Sequence, residues 1–548
     1  MNKNIVKYIG VLLLSSMMSC ADFLDVKPLD SFTGDAVFSD LKLTQTYVNK
    51  RYTELRDGFG NFGLRYISDE AYHNFNSGNP YLYNRGEVTP DQMGDHSTWN
   101  AYYEAIKNCN IFFDNIDLLK ADQQKKDQLI GEVTFLRAFF YADLIARFGG
   151  VPLVVKTFNL DDDMKIPRNT YQQCVEFVVS ELDKAASLLP VVYSSAEHGR
   201  ATKGAALALK SRVLLYAASP YWNTSNDQSK WKAAADAAKA VIDLQHNGAT
   251  VYRLHSDYKE LFLGNTSPEI IFMKQFNTEF GHSFDWTDSP NGFTGWSRTC
   301  VLQDMVDAYE MADGSMPKSQ DYVDGVPWLN REPRFYASVV CDGQQFRGRE
   351  IEFYISSSGN RALSGMDSEF GIDDWNFSKT HYTIRKFMNE SRRNPWNDKG
   401  DQPWIYFRLG EIYLNYAEAM YQLGDETTAR SYINKIRERA RGGNNAVLPD
   451  ITVSGNTLHE KIQHERRIEL AFEDHRFFDV RRWKIAEITE NKPARKVSII
   501  RDDNTNKKTY KIEVLQERKF FKQHYLLPIP RSEIQRNILL EQNPDYQK

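Results

Sequence analysis

The sequence predicts a mostly α-helical protein, a scaffold of tetratricopeptide-like helical hairpins carrying a loop-rich sub-lobe with short strands. Three observations predict it. Apolar residues recur at three- and four-residue spacings through two blocks, 93–246 and 404–440. The second block holds a legible helix–turn–helix repeat. Between the blocks helical periodicity fades, and Gly, Pro, Asn, Asp and Ser become frequent. At 548 residues, two or more packed lobes are expected rather than one continuous core.

The chain divides accordingly into a leader (1–19), a helical N-terminal region (20–246), a loop-rich region suited to ligand binding (247–403) and a C-terminal helical region (404–548). In the leader, Lys3 and Lys7 precede an apolar run over 8–14, and small Ser15, Ser16 and Ser19 follow it. That layout is a cleaved export signal, and the run is too short to span a bilayer. Met17-Met18-Ser19-Cys20 resembles a bacterial lipobox, although Met17 stands where Leu is commoner. The resemblance implies diacylglycerol on the Cys20 sulfur, and acyl chains of that number give stable membrane anchoring.

Composition is that of an ordinary globular chain, 41% hydrophobic and 26% charged. The net charge of −5 provides no basic footprint for nucleic acid. Beyond Cys20 the cysteines are Cys109, Cys174, Cys300 and Cys341. They form no CxxC and no cysteine–histidine cluster, so zinc and thioredoxin-like readings fail. Cys109 and Cys174 fall in helical patterns and read as small buried hydrophobes. Cys300 and Cys341 are the pair open to a disulfide in an oxidising compartment.

Within 93–246, "TWNAYYEAIKNCNIFFDNIDLL" sets Ala101, Ala105, Ile106, Cys109, Phe112, Phe113 and Ile116 along one stripe. "QLIGEVTFLRAFFYADLIARFGG" repeats the pattern and stops at Gly149-Gly150 before Val151-Pro152. Further helices are expected over 170–189, 202–218 and the alanine-rich 229–246. In 247–403, "EIIFMKQF" and "HYTIRKF" read as short strands within loops, the setting in which binding residues are commonly placed.

In the second block, Tyr413, Tyr416, Ala417 and Met420 occupy the first helix of a tetratricopeptide unit. Gly424 makes the turn, and Ala429, Ile433 and Ile436 line the second helix. The same spacing appears in more degenerate form at Ala234, Ala238 and Val241. In "ERRIELAFEDHR", Glu465, Glu469 and Glu473 stand four apart, a pattern open to acid–base work. Arg466, Arg467 and Arg476 lie close in sequence and favour an ion-pair network instead. "LPIPRSEI" reads as an extended segment entering a short helix with Ser532 as cap.

Long motifs in fixed order then carry a family resemblance: "CADFLDVKP", "FLRAFFYADLIARFGGVPLV", "RLGEIYLNYAEAMYQLGD", "ERRIELAFEDHRFFDVRRW" and "YLLPIPRSEIQRNILLEQNPDY". The chain resembles the SusD/RagB family of surface nutrient-binding lipoproteins. The resemblance implies a SusD-like α/α superhelix, an outer-membrane lipid anchor and a SusC-like TonB-dependent transporter as partner. It implies glycan capture and handover without catalysis, and no cofactor. Two other readings stay open: uptake of peptide by the same architecture, and a surface glycoside hydrolase working with two carboxylates.

A sugar offers apolar C–H faces and a rim of hydroxyls, so its site needs aromatic faces and a few fixed polar groups. "NTEFGHSFDWTDSPNGFTGWSRT" places Trp286 and Trp296 among turn formers, where a core segment is not expected. Trp296 is similar to a position near which several family members carry a glycan-stacking aromatic. The 71–100 stretch offers Tyr81, Tyr83, Arg85, Trp99 and Asn100. Trp99 also heads a helical stripe, where packing would occupy it. Asp69 resembles an acidic position before the first binding loop and is a candidate hydroxyl acceptor.

Other patterns fail on context. "GFGNFG" at 58–63 follows a charged helical stretch rather than a strand, so it is no dinucleotide fingerprint. Asp502, Asn504, Asn506 and Glu513 match calcium-loop positions, but Lys507 replaces the glycine of the sharp turn. A β-hairpin between "KVSIIRD" and "TYKIEVL" accounts for them. GxSxG, HExxH and Walker A patterns are missing, and neither a metal-ligand set nor a catalytic residue is assigned.

Overall fold

The computed structural model describes residues 34–159, 161–318, 325–392 and 396–546. Its scaffold is a series of capped helices. Helix α1 (Leu41–Thr53) starts at Asp40, whose carboxylate accepts from the Leu43 amide at 2.9 Å. Helices α2 (Trp99–Asn115) and α3 (Gln123–Phe148) follow. Next come α4 (Tyr171–Leu188), opened by a Thr170–Gln173 capping box, α5 (Lys203–Ala218) and α6 (Gln228–Ile242). In sequence order α3 packs on α4, α4 on α5 and α5 on α6.

The stack does not end at the loop-rich region. Helix α6 packs on α7 (Leu409–Gln422), which pairs with α8 (Glu426–Ala440) as the tetratricopeptide spacing predicts. Ala417 and Ala429 are fully buried between them, small enough to let the two backbones approach, with Ile433 and Ile436 alongside. Helix α9 (Gly455–Glu469) closes this satellite core through Leu458 and Ile462.

Residues 404–408 depart from the helical expectation. They form strand β4 (Trp404–Arg408), antiparallel to β2 (Ile270–Lys274). All five side chains of "WIYFR" are buried, and so short an apolar run has no distinguishing period. Two other pairings matter below. Strand β1 (Ala71–His73) runs antiparallel to β3 (Thr299–Val301), with Ala71 opposite Val301 and His73 opposite Thr299. Strands β5 (Ala494–Arg501) and β6 (Lys508–Gln516) form the expected hairpin.

The expected separate lobes share one dominant core. Phe59 touches Phe284, Phe387 and Trp404 with ring centroids at 5.0, 5.7 and 5.3 Å, joining all three folded regions. This explains the "GFGNFG" stretch: a Cβ on Gly58 would stand 2.1 Å from the Trp404 ring.

A buried ion-pair network ties the C-terminal region to the loops. Arg408 binds Glu269 (2.8 Å), Glu469 (2.7 Å) and Glu473 (2.7 Å), and Arg334 binds Glu332, Glu465 and Glu469 at 2.9, 2.5 and 3.0 Å. Arg437 and Arg439 add contacts to Glu465 and Glu469. A network was expected, but with other partners. Arg466 turns to Asp479, while Arg467 and Arg476 turn to Asp69. Burial raises the Glu469 pKa, and the guanidiniums of Arg439, Arg408 and Arg334 outweigh it, holding the carboxyl well below the usual range.

One smaller expectation is overturned, and one open question is answered. The helix Arg531–Arg536 is entered from Pro530, with Ser532 inside it and no side-chain cap. Cys300 and Cys341 are buried free thiols, as are Cys109 and Cys174.

Candidate functional site

The segment 283–301 alternates anchors with outward rings. Phe284 is buried in the core, and Asp285 beside it accepts from the Asn389 amide and from Gln402 Nε2, both at 2.8 Å. Asp288, fully buried, accepts from Arg298 Nη2 at 2.6 Å and Thr299 Oγ1 at 2.5 Å. Between these struts Trp286 turns outward, its indole N–H donating to the Thr294 carbonyl at 2.9 Å. The loop then doubles back: a Cβ on Gly295 would lie 2.1 Å from the Ser289 carbonyl oxygen, so only glycine fits.

Three buried asparagines stitch this loop to two others. Asn74 donates its amide to the carbonyls of Trp296 (3.1 Å) and Phe377 (2.9 Å). Asn291 donates to Ser368 and Asp373, both at 3.0 Å, and Asn376 to Gly295 at 2.7 Å. Each bond ends on backbone, so it fixes the path of the chain and leaves the neighbouring side chains free.

The stitched loops, together with the segment carrying Trp396 that Asp285 holds at Asn389 and Gln402, gather five aromatic rings. Trp286 lies 4.5 Å from Trp296 at 58° and 3.9 Å from Trp396 at 76°. Trp296 is 6.1 Å from Trp375 at 59°, and Phe75 bridges those two at 6.1 and 5.6 Å. Trp375 is 54% and Trp396 59% exposed, values far from those of core tryptophans. The rings do not lie flat in one plane. They make a faceted surface whose exposed indole faces meet at steep angles.

Sequence reasoning singled out Trp286 and Trp296, and the structure brings them together. It missed Phe75, Trp375 and Trp396, although "DDWNF" and "NPWND" carry the same signal of an aromatic among turn formers. The remaining candidates lie elsewhere. Trp99 is 3% exposed and packed on Tyr103 and Phe148, which removes it as an open stacking face. Asn100, next to it, is exposed at the start of α2. Tyr81 stacks on Tyr72 at 5.0 Å, gives its hydroxyl to the His73 carbonyl, and lies under the exposed Arg85 guanidinium. Its amide binds Asn76, which ties this smaller stack to the loop carrying Phe75. Asp69 is buried, held by Arg476 at 2.7 and 2.9 Å and by Arg467 at 3.0 Å. Its oxygens are committed to guanidiniums, which is a framework role.

Among the described residues there is no group of three or more His, Cys, Asp or Glu that could hold a metal. No helix among them is long and apolar enough to cross a membrane.

Fold and surface together define a class: a helical-repeat scaffold presenting a cluster of exposed indoles on stitched loops. The chain belongs to the SusD family, whose model matches residues 268–546, and a second model, described as starch-binding associating with outer membrane, matches 22–215. SusD-like protein P25 of Formosa agariphila is 25% identical over 586 aligned positions, covering 98% of each chain. A crystal structure of a SusD-like protein from Bacteroides fragilis is 32% identical, with 95% of this chain and all of that one covered and a TM-score of 0.78. A SusD-like carbohydrate binding protein from the same organism shares the fold at 24% identity, with coverages of 92% and 100% and a TM-score of 0.78.

Proposed function

We propose that this protein captures oligo- or polysaccharide at the cell surface on the Trp286–Trp296–Trp375–Trp396 cluster. It then hands the glycan to a SusC-like TonB-dependent transporter in the outer membrane. The observation carrying this reading is the set of steeply inclined indoles, two of them more than half exposed, on backbone fixed from beneath. Exposed indoles of this kind suit the C–H faces of sugar rings. The family's description as starch-binding and outer-membrane associated, and the carbohydrate-binding relative, point the same way.

The proposed role is binding without catalysis. Asp285 and Asp288, the buried carboxylates under the rings, are taken up by donors and act as struts rather than as an acid–base pair. The lipid attachment proposed for Cys20, which lies outside the described residues, would keep the protein at the outer membrane.

Affinity electrophoresis against starch, laminarin and a panel of plant and microbial polysaccharides tests the reading. At least one polymer is expected to retard the wild-type protein, and Trp296→Ala to weaken that retention without altering the melting temperature. Retention by none of them, together with binding of a peptide library, would move the reading to peptide uptake. New reducing ends on incubation with the retained polymer would move it to a hydrolase.

A further inference from the structure

A cavity of about 220 Å³ lies away from the indoles, bounded by Asp69, Leu302, Arg467, Lys492, Arg495 and Arg518. Leu302 follows β3 directly, so the cavity stands at the opposite end of the β1–β3 ladder from Asn74 and Trp296. It is smaller than the sites that take drug-sized ligands.

Its charges do not balance. Asp304 is held by Arg495 at 2.6 Å; Asp307 is held by Arg495 at 3.0 Å and approached by Arg331 at 3.6 Å. Asp69 is held by both Arg467 and Arg476. Every carboxylate on the wall is therefore neutralised, while three cations keep spare capacity. Arg518 is buried and, among the described residues, hydrogen-bonds only the carbonyls of Ser68 and Ala71 and leaves Nε without a partner. Among the described residues Arg467 makes a single ion pair, and its Nε is also unpartnered. Lys492 is exposed at the rim and pairs with no carboxylate among the described residues. The carboxylate behind Arg518 is Glu490, at 3.9 Å, and burial and the neighbouring Asp69 push it up to about 7.

We propose that this cavity binds a small oxyanion, a carboxylate, sulfate or phosphate group, between the guanidiniums of Arg467 and Arg518 and the ammonium of Lys492. Guanidinium forks suit such groups because each can give two parallel N–H bonds to two oxygens. Leu302 and Pro493 supply an apolar flank for whatever carries the anion.

Isothermal titration at constant ionic strength, with sodium sulfate, phosphate or acetate added against chloride, tests it. One of the three is expected to give saturable one-to-one binding, and their ranking separates tetrahedral anions from carboxylate. Lys492→Glu, at an exposed position, should weaken that binding about tenfold or more while leaving polysaccharide retention intact. Trp296→Ala should leave anion binding unchanged, so failure of the glycan reading and failure of this one are distinguishable. Absence of saturable binding for all three anions at millimolar concentration, or equal binding by Lys492→Glu, would overturn the proposal.

Discussion

The stretch 404–483 buries a set of arginines and carboxylates, whereas the loops carrying Trp375 and Trp396 turn two indoles outward. The first region buries Arg408 among Glu269, Glu469 and Glu473, and Arg482 against Glu418 and Asp479. The second exposes Trp375 and Trp396 and buries asparagines beneath them. The difference teaches how the two surfaces are held. Buried ion pairs gain little net stability, since desolvation offsets their attraction, but removing one partner is severe. The helical frame is therefore intolerant of change at its charges. The indoles contribute less to packing, and the loops rely on side chain-to-backbone hydrogen bonds that persist when a ring is removed.

The sharpest way to break this comparison is Arg408→Met. It takes one cation from each of Glu269, Glu469 and Glu473, leaving them to Arg439, Arg334 and Lys386, and should cost about 3–5 kcal/mol in urea unfolding. A loss below about 1 kcal/mol would show that the network is not what holds the frame. Next is Glu70, a buried frame carboxylate that accepts from the Phe472 amide at 2.9 Å and, among the described residues, pairs with no arginine. Burial, its largest influence, pushes it from 4.5 to about 7. Its raised pKa gives stability that is full below the unfolded value and lost as pH rises through about 7. Up to roughly 3 kcal/mol is at stake between pH 5 and 8. Glu70→Gln should flatten that slope in thermal melts taken across the range. Glu469, whose pKa is lowered, works oppositely: its stabilisation is lost as pH falls below the usual carboxylate range.

The effects on the lobe are smaller and fall on binding. Trp375→Ala should weaken polysaccharide binding by about 1–3 kcal/mol, by analogy with bases stacked on aromatics, with an unchanged melting temperature. Smallest is Asn376→Ala, which removes one buried bond to the Gly295 carbonyl. It should cost about 1 kcal/mol of stability and lower affinity severalfold as the Trp375 loop loosens, read by the same electrophoresis and melts. An unchanged affinity would mean that the rings keep their places without the stitch.

What could be read from the sequence follows from how local each signal is. Helix periodicity, the Gly424 turn and the β5–β6 hairpin are set by neighbours a few residues apart, so their patterns are visible. The partners of Glu465, Glu469 and Glu473 are not, because Arg334 and Arg408 arrive from distant segments while adjacent Arg466 and Arg467 face other carboxylates. Asp69 looked like a free acceptor for the same reason: Arg476, which claims it, is about four hundred positions away. Trp286 and Trp296 were recognisable because turn formers surround them. That Phe75 and Trp375 join them depends on Asn74, Asn291 and Asn376 bridging loops far apart in the chain. That Trp396 does so depends on Asp285 holding Asn389 and Gln402 to either side of it, and no local pattern encodes those meetings.

Those three asparagines also bear on how such a surface can diversify. Because these amides grip main chain, with Asn376 also reaching the Asp373 carboxylate at 3.4 Å, most loop positions between grips carry no obligation to one another. A tryptophan there can become a tyrosine, or move along the loop, without a compensating change elsewhere. Recognition and architecture are thereby written in separate residues, and the specificity of the lobe can be revised while the helices beneath it stay as they are.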